Sequence, residues 1–571
     1  MEKLWTPEQL RELMPRVLAR WPGAAALLRS RSVQESLRLA TGSVVSTFEK
    51  LPGEIVMLFA EHLEPTNIQP YLDEASMRKY KDAQNDLRNL GLVSRTMRDA
   101  VRPYLYRGII VDNSDTLVLL VRTLAEHREG LGQHTKRLVL QVPFDKKDEN
   151  FREPDLSIFR RSKDEELSSL VMFKNFKVSD GHTWWDLGKL YFYILKWTAN
   201  LKKLSLAMPS PRRPGFPATV LYMSFWEEFY RASKNPANLP LLFLSKLTSV
   251  RLLGSEKYTD GQIDTDHCRR VFDISSVRKL VCYRDNGMWF DLRPTRLTNF
   301  QFRNLTTIKL LQSACTPLHI IDICTRFPCL QSLCVSTDSL MATKRMSDPS
   351  IISNGVYLSD SLAKLPDLKR LELDLHYSSD FSHLLGPRGV LNLQALSGLQ
   401  AVRVPLHFLV EKQTGKKHIV AHPLEVLPSS LSRLILSADL KCVIHWRAAG
   451  ASNSSVPGLV GPHASGESPG SHYQSRIAVL QFLECVSSFI PDYFTQLEEV
   501  TYIYGVEAQL NSDAGDSSVG ALARPYQEAI RVLSPQVDMD GSTTRFGILS
   551  EAFDRIGVRF TAAEERVKHE E

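Results

Sequence analysis

The chain has 571 residues, 43% of them hydrophobic and 23% charged, with 70 Lys and Arg against 64 Asp and Glu. That length allows about four ordinary domains, and the composition is that of a soluble globular protein rather than a disordered, fibrous or disulfide-stapled one. So thin a positive excess does not argue for nucleic acid, and any basic signal must lie in its placement.

Residues 1–45 read as a helical extension: "MEKLWTPEQLRELMPRVLARWPG" mixes acidic and basic residues without the apolar core of a signal peptide. No apolar run in the chain approaches the roughly 18 residues a membrane helix needs. A cytoplasmic or nuclear location without membrane contact is expected. In "LPGEIVMLFAEHL", starting at Leu51, Pro52 suits a first helical turn, and Glu54 lies where the helix dipole favours a carboxylate. Leu51, Ile55, Leu58, Phe59 and Leu63 then share one face at helical spacing. Further on, "DLRNLGLV" offers Leu87, Leu90 and Val93 as a short helix. In "LVSRTMRDAVRPYLYR", Ser94 is a candidate N-cap; Val93, Met97, Ala100, Val101, Tyr104 and Leu105 recur at three- and four-residue steps, with Arg95, Arg98 and Arg102 opposite them. Pro103 marks where this helix begins to end.

Together "LPGEI" and "LRNLGLVSRTMRDAVRPYLYR" resemble the F-box, the motif by which F-box proteins dock on the Skp adaptor of Skp–cullin–F-box ubiquitin ligases. The resemblance covers residues 46–108 and implies that Leu51, Pro52, Ile55, Leu87, Leu90 and Val93 present an apolar face to the adaptor and, through it, reach a cullin. It departs from the family in a 23-residue insertion at 64–86, which reads as a polar helix or loop and could either extend or weaken that interface.

From residue 109 to 505 a short pattern, apolar-x-x-apolar-x-apolar, recurs ten times: "TKRLVL" (Thr135), "LKKLSL" (Leu201), "LTSVRL" (Leu247), "VRKLVC" (Val277), "LTTIKL" (Leu305), "LQSLCV" (Leu330), "LKRLEL" (Leu368), "LQAVRV" (Leu399), "LSRLIL" (Leu431) and "LEEVTY" (Leu497). Alternation at positions four to six predicts one short strand per copy, and several preceding segments carry helical spacing instead. The pattern resembles a leucine-rich-repeat array, implying an α/β solenoid of horseshoe form behind the all-helical F-box-like module. The asparagine or cysteine that such repeats place at the ninth position is missing, which predicts uneven curvature. Composition predicts disordered insertions at 145–166 and 448–475. Residues 506–571 read as a loop and a helical cap on the array.

The third and fifth positions of each copy should point away from the core. Eight of these twenty are basic, namely Arg137, Lys203, Arg251, Lys279, Lys309, Arg370, Arg403 and Arg433, against only Glu372 and Glu499. Such a stripe would suit an acidic or phosphorylated segment of a target protein, or would simply keep exposed strands soluble. No hydrolase, metalloprotease, nucleotide-binding or kinase motif appears. The eight cysteines form no C-x-x-C pair and read as small buried hydrophobes, while "DTDHC" at 264–268 reads as a polar loop rather than a metal site. No cofactor and no catalysis are expected. The reading is a substrate receptor of a ubiquitin ligase, whose target the sequence does not name. The alternative is an interaction scaffold in which the insertion has disabled adaptor docking.

Overall fold

A computed structural model describes residues 53–63, 74–127, 130–141, 182–207, 244–254, 274–285, 301–337, 356–375, 382–387, 389–412, 418–438, 482–483, 485–505 and 545–565. The expectations for residues 1–45, 145–166, 448–475 and "DTDHC" lie outside them, as do Leu51 and Pro52. Two units divide the chain, one of Met1–Ile263 with His267–Val277, the other of Asp264–Asp266 with Arg278–Glu571.

The first unit opens with helices α1 (Gly53–Leu63), α2 (Glu74–Leu92) and α3 (Arg95–Leu105). Strand β1 (Gly108–Val111), helix α4 (Ser114–Glu126), strand β2 (Arg137–Leu140), helix α5 (His182–Trp197) and strands β3 (Lys203–Ala207) and β4 (Ser249–Leu253) follow. Strands β1 to β4 pair in chain order, all parallel. The second unit carries β5 (Lys279–Tyr283), β6 (Thr307–Ser313), α6 (Pro317–Arg326), β7 (Ser332–Thr337), α7 (Leu358–Leu362), β8 (Arg370–Asp374), α8 (Ser382–Leu385) and β9 (Ala401–Pro405). After an antiparallel hairpin of β10 (Val410–Lys412) and β11 (His418–Val420) come α9 (Pro423–Val426), β12 (Arg433–Ala438), β13 (Glu499–Gly505), α10 (Arg545–Arg555) and β14 (Arg559–Glu565). Here too the main ladder is parallel and in chain order, from β5 through β9 to β12, β13 and β14. The fold class is α/β.

All ten copies of the apolar pattern form strands, each entering at the third position of its copy. Third positions are also register partners, as in Arg137↔Lys203, Ser332↔Arg370 and Arg433↔Glu499. The backbone shows why. The amides at positions two and three of one copy both donate to the position-two carbonyl of the copy before it, as Lys202 and Lys203 do to Lys136, and Lys369 and Arg370 to Gln331. Positions one, four and six are buried throughout. Burying three such side chains contributes roughly 5–9 kcal/mol, against roughly 6–12 kcal/mol to order six residues of backbone. A single unit therefore sits near balance and is held by its neighbours.

The helices of the first unit form their own core. Leu87, Leu90 and Val93 pack with Val56, Ala60, Leu63, Met97 and Val101. Ser94 caps α3 by accepting from the Met97 amide at 3.2 Å, and Pro103 stands two residues before the helix ends. Arg95, Arg98 and Arg102 lie exposed on the face opposite Met97 and Val101, as the spacing predicts. The second half of the insertion is no separate element: residues 74–86 are the first three turns of α2.

Two strands extend the ladders beyond the ten copies. In the first unit, β1 precedes β2; in the second, β14 follows β13, so the segment expected to be only a loop and helical cap contributes a helix and a strand. Helix α10 ends in a Schellman turn: Gly557, at φ +75°, donates to Asp554 and Val558 donates to Phe553, each at 3.0 Å.

Candidate functional site

The sequence points to two surfaces, the helical module and the outward rows of the strands. On the module, Leu87, Leu90 and Val93 are 0%, 5% and 6% exposed. Expected on an adaptor-facing surface, they instead fill the module's interior, because α2 places them against α1 and α3. Ile55 lies within α1, one position before the buried Val56. Among the described side chains of the module, the large apolar ones that are exposed are Met57 on α1 and Leu92 at the end of α2, 43% and 55% exposed.

The described half of the insertion, residues 74–86, engages β1. The Tyr80 hydroxyl donates to the Gly108 carbonyl at 3.2 Å and accepts from the Ile110 amide at 3.1 Å. Gln84 Nε2 donates to the same Gly108 carbonyl at 3.4 Å, and Lys81 pairs with Asp112 at 3.3 Å. In a parallel pair alternate residues face the partner strand; the amides of Arg137 and Gln141 take the carbonyls of Arg107 and Val111, so Gly108 and Ile110 turn toward the other, open side of β1. Tyr80 thus supplies one donor and one acceptor where a further strand would have done so, a covered edge in place of an aggregation-prone one. Burial pushes its phenol up to about 12.

The outward rows differ between the units. In the second, Arg370 pairs with Glu372 on its own strand. Arg403 Nη2 reaches Asp374 Oδ2 at 3.1 Å, and Arg433 grips Glu499 through Nε at 3.0 Å and Nη2 at 3.1 Å. Lys309 sits in register with Cys334, and Cys334 with Glu372. Burial alone would raise the Glu372 carboxyl, but hydrogen bonds from the Cys334 thiol and Arg370, with the charges of Arg370 and Lys309, hold it below the ordinary value of 4.5. Lys279 stands half-buried at the entry of β5. Pairs of this kind contribute about 0–1 kcal/mol to stability, but they neutralise much of the expected stripe. Asp374, at the seventh position of its copy, escapes a count confined to positions three and five.

In the first unit the outward residues of β2, β3 and β4 are Arg137, Val139, Lys203, Ser205, Ser249 and Arg251, with no carboxylate among them. Arg137 and Lys203 are direct register partners, and Arg251 partners Ser205, two residues along from Lys203. Partial burial and then the charges of Arg137 and Arg251 lower the Lys203 amine below its ordinary 10.5. Three cations thus stand on three adjacent strands, beside the buried Val139 and Ser205.

Cys282, Cys315, Cys324 and Cys334 are buried; burial raises the Cys324 thiol to about 12 and that of Cys315 well above its ordinary value. Cys485 Sγ lies 3.4 Å from His422 Nε2, but burial raises this thiol too, the reverse of what a thiolate nucleophile needs. Among the described residues no group of three or more His, Cys, Asp or Glu is arranged to hold a metal ion, and no helix is long and apolar enough to cross a membrane. No protein-family model matches the chain, and no curated protein matches it.

Proposed function

We propose that this chain is the substrate-recognition subunit of a Skp–cullin–F-box ubiquitin ligase, its helical module docking the Skp adaptor and its strands forming a leucine-rich-repeat-like solenoid that holds a target protein. The observation that carries the reading is a succession: the "LPGEI" and "LVSRTMRDAVRPYLYR" motifs stand in a stretch whose described residues form three helices, and ten strand repeats come after it in the chain. Ubiquitin transfer itself belongs to other subunits.

Burial of Leu87, Leu90 and Val93 assigns them to the module's stability. We assign the adaptor contact to Leu51, Pro52 and Ile55, as the resemblance implies, and to the exposed Met57 and Leu92. Truncating a buried interface anchor costs about 2 kcal/mol or more, roughly a thirtyfold loss of affinity. Co-expression with the Skp adaptor tests the reading. The parent chain should co-purify with it, and Leu51→Asp combined with Pro52→Ala should not. Failure of the parent, or unimpaired binding by the double variant, returns the chain to the alternative of a scaffold without a ligase role. Engagement of residues 74–86 with β1 favours the receptor, since that half of the insertion is committed to the array.

A further inference from the structure

We propose that the outer edge of β14 pairs with the same strand of a second copy of this chain, antiparallel and about a two-fold axis at Ala562, so that one sheet runs on from copy to copy. The inference goes beyond the receptor reading and does not depend on it.

The ladder of the second unit ends in β14 (Arg559–Glu565). Strand β13 pairs with it over its whole length in unbroken register, and among the described residues no strand lies on its other side. The Arg559 amide donates to the Glu498 carbonyl at 2.9 Å, so the backbone groups of Arg559, Thr561, Ala563 and Glu565 turn toward β13. Those of Phe560, Ala562 and Glu564 turn to the open edge. Such a row of unmet amides and carbonyls is a template for another strand. In the first unit the open side of β1 is met by Tyr80 and Gln84, whereas "RFTAAEE" carries no proline and no lysine, and its register with β13 shows no bulge.

The sequence of this edge selects its occupant. "RFTAAEE" begins on a cation and ends on two carboxylates. Laid beside itself in parallel it would set residue 559 by 559 and 565 by 565, like charge by like. Antiparallel, it sets 559 opposite 565, arginine opposite glutamate, at both ends of the pair. Hydrogen bonding arrives at the same register independently. Outward-turned residues must meet outward-turned residues, and only an axis at Ala562 uses all of them: Ala562 faces Ala562, and Phe560 faces Glu564 in both directions. Residues 559 and 565 then form a non-hydrogen-bonded pair, the kind whose side chains approach more closely. An axis at Glu564 would set two carboxylates face to face, and one at Phe560 would leave most of each strand unpaired. Arg559 and Thr561 are exposed, while Phe560 stacks on Phe553 at 5.2 Å on the other face, so the added strand extends the sheet without disturbing its core.

The test is the mass of the full chain in solution, measured by sedimentation equilibrium. Two short strands make an interface at the small end of the stable range, so chain concentrations should run from about 1 to about 100 μM. The parent should reach twice the chain mass. Arg559→Glu and Glu565→Arg, each placing like charges opposite one another at both ends, should weaken association about tenfold or more; Arg559→Glu/Glu565→Arg, which exchanges the charges, should restore it. Ala562→Pro removes an outward amide at the axis and should abolish the dimer, while continued exchange protection of the Thr561 amide shows β14 still paired with β13. A parent that stays monomeric overturns the proposal. Protected Phe560 and Ala562 amides in that monomer would mean that another segment of the same chain covers the edge. A dimer indifferent to Arg559→Glu and Ala562→Pro lies elsewhere on the molecule, and one not restored by the charge exchange has a different register; either result also overturns it.

Discussion

Replacing Tyr80 by phenylalanine tests how the array is closed at its first strand. The substitution leaves the ring and removes one hydroxyl, and with it the bonds to the Gly108 carbonyl and the Ile110 amide. Gln84 still reaches Gly108 at 3.4 Å, so the carbonyl keeps a donor while the buried Ile110 amide loses its hydroxyl acceptor. An unmet buried amide costs about 1–3 kcal/mol, and at roughly 2–4 °C per kcal/mol for a unit of this size the first unit should melt roughly 4 °C lower. Amide exchange at Ile110 should accelerate as well. A second signature comes from alkaline titration. The phenol is raised from 10.0 to about 12 in the folded chain, so its contribution is whole below pH 10 and is lost as pH rises toward 12. The loss amounts to about 3 kcal/mol, and Tyr80→Phe should lack it. Other tyrosines and lysines titrate in the same range, so the quantity to compare is the difference between parent and variant. If the variant melts with the parent and shows the same alkaline loss, Tyr80 does not cover the edge in the way argued.

Three further substitutions probe separate parts of the fold. A methyl group on Gly132 would meet the Trp197 carbonyl oxygen at 1.9 Å, so Gly132→Ala must displace backbone and should cost about 1–3 kcal/mol in a urea melt. Leu87→Ala, in the interior of the helical module, should cost about 2–5 kcal/mol and weaken adaptor co-purification with it. Leu92→Asp, at the surface, should leave stability within about 0.5 kcal/mol while still weakening the adaptor if that face is used. The Glu372 carboxyl is held below 4.5, so its contribution is present above that value and is lost as pH falls through the folded one. Glu372→Gln should therefore flatten the fall in stability as pH drops below 4.5, read from urea melts across that range.

The ten strands were legible because each copy states its inward face three times, at positions one, four and six, and neighbouring copies agree. What escaped shows the limit of that signal. "YRGIIV" satisfies the same spacing with Tyr106 in place of leucine, but it overlaps the end of the helical motif. "GVRFTA" begins on glycine and ends on alanine, so β14 has only Phe560 to mark it. Burial of Leu87, Leu90 and Val93 could not be read from their spacing, which is the same for a face turned to a neighbouring helix and one turned to a partner. The ion pairs depend on register. Arg433 and Glu499 stand 66 residues apart and become neighbours only once β12 and β13 are aligned. Tyr80 carries no periodic signal, since its role is set by the open side of a strand 28 residues later.

That one residue changes how the insertion should be understood. Helix α2 has 19 residues, about 28 Å of continuous helix. Tyr80 and Gln84, one turn apart, bind β1, while Leu87 and Leu90, on the turns that follow, lie in the core of the helical module. A flexible connection at this point would let the array swing relative to the module; a single helix anchored at both ends holds the first strand at a fixed height and rotation. In a receptor that presents a target to a separate transferring subunit, such fixing sets which target lysines come within reach. Residues 74–86 read as the brace that sets this geometry. On the proposed receptor reading, Tyr80→Phe/Gln84→Ala should leave adaptor binding intact while broadening the set of target lysines that receive ubiquitin, and an unchanged lysine pattern would refute the brace.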